Sequence, residues 1–81
     1  MKAVEKEVRR ILSRVVMVPE ASLTPEAELA ELGVNSLDHI ECVMALEEIF
    51  QLELEDADIS RLRTVQDIID AVGRAQAAAS C

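Results

Sequence analysis

Apolar side chains recur at three- and four-residue spacing along three stretches of the chain, and each stretch predicts an amphipathic helix. Over residues 2–16, Val4, Val8, Ile11, Leu12 and Val15 form the apolar stripe, while Glu5, Glu7, Arg9, Arg10 and Arg14 fill the other face. A second helix opens at Ser36 and runs to Phe50 or Gln51. The last is capped by Thr64, with Asp67 three residues on as an approximate capping box, and its stripe is Val65, Ile68, Ile69 and Val72. Between them, Ile59 and Leu62 stand at i, i+3 and predict a short helix or turn within Asp56–Leu62. No strand alternation and no internal repeat is present. The pattern predicts an all-α fold, an irregular four-helix bundle of three longer helices and one short helix.

Pro19 and Pro25 break regular structure after the first helix. The connection from Met17 to Asn35 is long for so small a domain, and loops of that length are uncommon unless functional or carrying short structure. Leu23, Leu29 and Leu32 are apolar pins that tie it to the core. Thr24-Pro25-Glu26-Ala27 predicts one helical turn, with Thr24 as N-cap and Pro25 at the first position. Gly33 punctuates its end. At the other end of the chain, Gly73 either stops the last helix or lets it continue through Arg74–Ala79, where alanine favours helix. With no partner face in sight, residues 76–81 are expected to be a disordered Ala-rich tail, leaving residues 1–75 as one domain.

Composition narrows the function. The chain has 81 residues, with 16 acidic against 8 basic side chains and a net charge of −8. That balance argues against nucleic acid or an anionic membrane as partner, since phosphate binding needs clustered Lys and Arg, and argues for basic protein partners. There is no apolar run long enough to span a membrane, and MKAVEKEVRR offers no apolar core of a signal peptide. Cys42 and Cys81 are read as reduced thiols of a cytoplasmic monomer. With the single His39 they fit no common zinc spacing, and no Asp-x-Asp-x-Asp-Gly calcium loop occurs. Glu47-Glu48 and Glu55-Asp56 read as solvated charge, and no metal site is expected. His39, on a helix among acids, reads as solvated, and so small a chain leaves little room for a catalytic cleft. An enzyme is not expected.

The central helix carries two apolar sectors at about 100° per residue. Cys42, Val43, Leu46, Ile49 and Phe50 form the core face. Leu37, Ile40 and Met44 form a second, edged by Asp38, Glu41 and Glu48, with Glu47 on its other flank. A surface helix needs only one stripe to hold it to a core. The second is either a wider buried face or a docking ridge, whose acidic rim would set on-rate and orientation toward basic patches. Ser36 likewise has two readings. It is a plain N-cap, or it presents a hydroxyl for a phosphate ester at the positive mouth of the helix. No His, Lys or second Ser is placed by sequence to activate it, so any modification is another protein's chemistry.

The run Glu31-Leu32-Gly33-Val34-Asn35-Ser36-Leu37-Asp38, followed by Glu41-Cys42-Val43-Met44-Ala45-Leu46-Glu47-Glu48-Ile49-Phe50, resembles the acyl carrier proteins of fatty-acid and type II polyketide synthesis. The resemblance extends from the first amphipathic helix to Thr64-Val65-Gln66-Asp67-Ile68. It implies that Ser36 receives 4′-phosphopantetheine from coenzyme A and that the arm's thiol carries an acyl group as a thioester. It implies a partner face of Leu37, Asp38, Ile40, Glu41, Met44, Glu47 and Glu48, docking on a phosphopantetheinyl transferase, ketosynthases and acyltransferases. It also implies an interior able to take an acyl chain, with Ile40 and Met44 near the opening.

Asn35 departs from the family pattern, which usually has Asp before the serine. There the carboxylate helps hold Mg²⁺ during arm transfer. Mg²⁺ prefers anionic oxygen, so Asn35 should weaken that step while leaving the helix start intact. A transferase that tolerates Asn35, compensation by Asp38, poor loading and an introduced Asp-to-Asn exchange remain open. Loading is still expected. The alternative function is an unloaded interaction subunit that binds partners through the same acidic helix.

Overall fold

The computed structural model describes residues 2–79. Four helices follow one another: α1 Lys2–Val16, α2 Ser36–Phe50, α3 Asp56–Ile59 and α4 Val65–Ala79, with a 3-10 turn at Glu20–Ser22 in the long connection. No strand occurs among the described residues; the one β-type pairing is an isolated bridge between Glu28 and Thr64. The all-α bundle of three longer helices and one short helix is therefore what the periodicity predicted.

The stripes meet in one core. Val8, Ile11 and Leu12 of α1 pack with Cys42 and Leu46 of α2 and with Val65, Ile68 and Val72 of α4. Leu23 and Leu29 complete it from the connection, as the apolar pins required. A smaller cluster of Val43, Leu54 and Ala71 packs beneath α3, with Ile59 and Leu62 at its margin. Phe50, the sole aromatic, is half-buried against the main core. Ile49 is not a core residue: it is 51% exposed, because the buried stripe of α2 is narrower than its sequence suggests.

Several local expectations are corrected. Thr24–Ala27 forms a single reverse turn, with the Ala27 N–H donating to the Thr24 carbonyl at 3.0 Å, and the helical turn lies earlier, after Pro19. The carbonyls of this stretch serve another end: Pro25 and Ala27 accept the Gln66 and Val65 N–H groups at 3.0 and 3.1 Å. Those are among the donors that the first turn of α4 cannot satisfy internally, so the long connection caps α4. Tertiary need outweighed local helical preference there. Helix α3, Asp56–Ile59, falls inside the stretch expected to hold a short helix or turn and needs no correction. Helix α4 runs through Gly73 to Ala79, so residues 76–79 are helical where a disordered tail was expected. Alanine's helix propensity and the packing of Ala75 on the smaller cluster carry it onward. Residues 80 and 81, with Cys81, lie outside the described residues.

Candidate functional site

The approach to α2 is fixed by glycine. Residues 28–32 wind through successive turns, and Gly33 then takes φ +86°, which a side chain would resist. The Gly33 N–H donates to the Ala30 carbonyl at 3.2 Å and the Val34 N–H to the Leu29 carbonyl at 3.1 Å. This is the paired bonding of a Schellman stop, and it turns the chain so that Asn35 enters α2 in extended conformation.

Asn35, not Ser36, is the N-cap. Its Oδ1 accepts the Asp38 N–H at 2.8 Å, and Asp38 Oδ2 accepts the Asn35 N–H at 3.5 Å. The plain capping reading of Ser36 is thereby overturned. Ser36 is the first helical residue, exposed, and none of the described hydrogen bonds uses its hydroxyl. With Asn35 taking the Asp38 N–H on its side chain and the His39 N–H on its carbonyl at 2.9 Å, the N–H groups of Ser36 and Leu37 stay open at the positive end of the helix.

The second apolar sector is a ridge, not a wider buried face. Leu37, Ile40 and Met44 are 64%, 54% and 62% exposed. Glu41 and Glu48 flank them in the open. The remaining two acids of the expected partner face have internal work. Asp38 is half-buried in the capping box, and the half-buried Glu47 accepts the Leu54 N–H on Oε2 at 2.9 Å, holding the chain after α2.

Beside Ser36 lies an open cleft of about 280 Å³, bounded by Leu29, Val34, His39, Leu62 and Arg63. Glu28, Ala30 and Asn35 complete its rim. Ile40 and Met44 are not among the residues that line it. His39 is not simply solvated: the residue is half-buried and its Nε2 is buried without a hydrogen-bond partner. Sequence reasoning missed this cleft because its far wall, Leu62-Arg63, arrives from beyond α3. The one available signal was spacing, since His39 stands one turn after Ser36.

Cys42 is buried in the core, and that burial, reinforced by Asp38 and Glu41, pushes its thiol up to about 11. It stays protonated and unreactive at neutral pH. No three His, Cys, Asp or Glu residues are grouped to hold a metal among the described residues. No helix there is long and apolar enough to cross a membrane.

Comparison with known proteins gives concordant matches. A family model described as a phosphopantetheine attachment site matches residues 6–72. An acyl carrier protein of Syntrophobacter fumaroxidans is 40% identical over 77 residues, covering 94% of this chain and 95% of that one. The crystal structure of an acyl carrier protein from Thermotoga maritima superposes with a TM-score of 0.82 at 32% identity, covering 96% of this chain and 92% of that one. A Mycobacterium tuberculosis structure at 22% identity, TM-score 0.82, covering 88% and 96%, shows the fold alone.

Proposed function

The chain belongs to the acyl carrier protein family, and on that premise we propose that Ser36 is the residue that bears its arm. The protein is a carrier rather than an enzyme, and its prosthetic group is 4′-phosphopantetheine. When attached, that group supplies a thiol on which an acyl chain is held as a thioester.

One observation carries the assignment of Ser36: Asn35 does the capping, so the adjacent hydroxyl is exposed and uncommitted. The residues fit the group. A phosphodiester on Ser36 Oγ would sit against the open N–H groups of the first turn, where the helix dipole favours negative charge. On this reading the arm is attached by a separate transferase.

As a carrier, the protein interacts with synthase-type enzymes. Leu37, Ile40 and Met44 supply apolar contact for them, and Glu41 and Glu48 supply an acidic rim. This suits brief visits to basic patches on a phosphopantetheinyl transferase, a ketosynthase or an acyltransferase. The reading extends to a cytoplasmic monomer of one domain, which includes α4 to its end at Ala79.

Intact mass after incubation with coenzyme A and a broad transferase tests it. One phosphopantetheine should be added to the native chain and none to Ser36→Ala. Asn35 sustains the second reading, an unloaded interaction subunit. Failure of the native chain to load with several transferases, with loading restored by Asn35→Asp, would favour that reading.

A further inference from the structure

A second groove, to which α2 contributes no residue, lies between α1 and α4 and has a volume of about 530 Å³. Its α4 wall follows Gln66, Ile69, Gly73 and Ala77 at three- and four-residue steps, so it extends for roughly 16 Å along the helix at 1.5 Å per residue. Val4 of α1 and Ile69 give it apolar sides. Gly73 is its anomaly. The residue sits inside α4 without the positive φ that would demand glycine, and an added Cβ would meet nothing within 4 Å. Neither backbone conformation nor packing within this chain explains it, and glycine weakens a helix interior relative to alanine. A gap held open at that cost points to an occupant that comes close to α4.

We propose that this groove is a second docking surface, which takes an amphipathic helix of a partner protein edged by Lys or Arg. Its length suits a helix laid along α4 better than a compact small molecule, and Gly73 with Ala77, one turn apart, lets a second backbone approach. The charge of the rim chooses the partner. Glu5 comes from α1 and Asp70 from α4, and among the described residues no ion pair involves either. Asp70 accepts only from the neutral Gln66 amide, at 2.8 Å. Arg74, the one basic residue of the lining, is taken by Asp58 at 3.3 Å. A second copy of the chain is disfavoured by a net charge of −8 on each. The inference goes beyond the carrier reading. Because the groove and α2 share no residue, a partner seated here leaves Ser36 and the ridge free, so one carrier can hold two partners at once.

The full chain, with and without its arm, is titrated with two synthetic helices that share one Leu and Ala stripe, one edged by Lys and the other by Glu. Amide shifts are followed by NMR. The Lys-edged helix should saturate the amides of Val4, Glu5, Ile69, Asp70 and Gly73, read separately from those of Leu37, Ile40 and Met44 on the ridge, and the Glu-edged helix should not move them. Gly73→Leu should weaken binding at the groove roughly tenfold by filling its floor. Gly73→Ala should weaken it less and raise the urea midpoint, as expected of a gap kept for a partner and not for the fold. Arm transfer to Ser36 should be unchanged in both variants. Shifts confined to the ridge, equal binding of the two helices, native-like binding by Gly73→Leu, or a lower urea midpoint for Gly73→Ala overturns the inference. So do groove shifts that grow with protein concentration alone, which would make a second copy the occupant. All these outcomes leave the carrier reading intact, whereas failure of Ser36 to take the arm overturns that reading and not this one.

Discussion

Asn35 and Asp38 close the first turn of α2 on each other, Oδ1 of one taking the amide of the other at 2.8 Å and Oδ2 returning the bond at 3.5 Å. Ser36 lies between them in sequence and outside their exchange. The division of labour matters chemically: the residue that starts the helix is not the residue offered for modification.

Asn35→Asp should therefore keep the cap, since Asp and Asn are about equal there, and should add an anionic oxygen for Mg²⁺. Urea unfolding should move by less than about 0.5 kcal/mol, while the Mg²⁺-dependent rate of arm transfer rises. Asn35→Ala should lose about 1 kcal/mol with the cap. An unchanged transfer rate in Asn35→Asp, at matched Mg²⁺, would show that position 35 does not limit loading.

The three long helices and their core stripes were legible because period 3.6 is a property of each segment alone. Thr64 with Asp67 was legible for the same reason: the cap spans four residues. What escaped depended on distant chain. Pro25 and Ala27 give up local helix to cap α4, and the cleft joins Val34 and His39 to Leu62 and Arg63 across α3. Ser36 was legible as special, but its freedom from capping rests on Asn35 taking that role, and both residues cap well. Glu47 was misread as surface charge because its acceptor role toward Leu54 depends on how the chain turns after α2.

That turn separates the acids of α2 by experiment. Glu41→Lys and Glu48→Lys should weaken binding to a basic partner enzyme, most at low salt, since rim charges are screened over about 8 Å at physiological ionic strength. Helicity should be unchanged. Glu47→Ala should instead cost about 1 kcal/mol of stability by stranding the Leu54 amide, with a smaller effect on binding. Calorimetric titration alongside thermal melts distinguishes the two patterns, and equal binding losses at all three positions would contradict the division.

Asp67 accepts the Arg63 and Thr64 N–H groups on one oxygen at 3.0 and 3.1 Å, and these bonds, the first foremost, hold its carboxyl below the usual range. The unfolded chain then binds a proton more readily than the folded one as pH falls. The cap's contribution is whole above about pH 4, the ordinary carboxyl value, and fades below it. Asp67→Ala should cost about 1 kcal/mol at pH 7 and less at pH 3. Urea midpoints at the two pH values check this; an equal loss at both would mean that the carboxylate's charge is not what the cap uses.

Cys42 gives the opposite slope. Its thiol is pushed from an ordinary value near 9 up to about 11, mainly by burial and then by Asp38 and Glu41. Between those values the folded chain keeps a proton that the unfolded chain has released, so stability falls as pH rises. Below pH 9 the contribution is fully present; by pH 11 about 2–3 kcal/mol is gone, at about 1.36 kcal/mol per pH unit. In a Cys81→Ser background, which leaves one thiol, the native protein should resist a thiol reagent at pH 8 and react once unfolded. Cys42→Ala should flatten the alkaline limb of the stability curve, at a modest packing cost at neutral pH because Cys behaves as a small hydrophobe in a core. If the native thiol were modified at the unfolded rate, the core around Cys42 would have to open freely. The tight contact of α2 with Val8, Ile11 and Leu12 would then not be what keeps Ser36 at a fixed helix mouth.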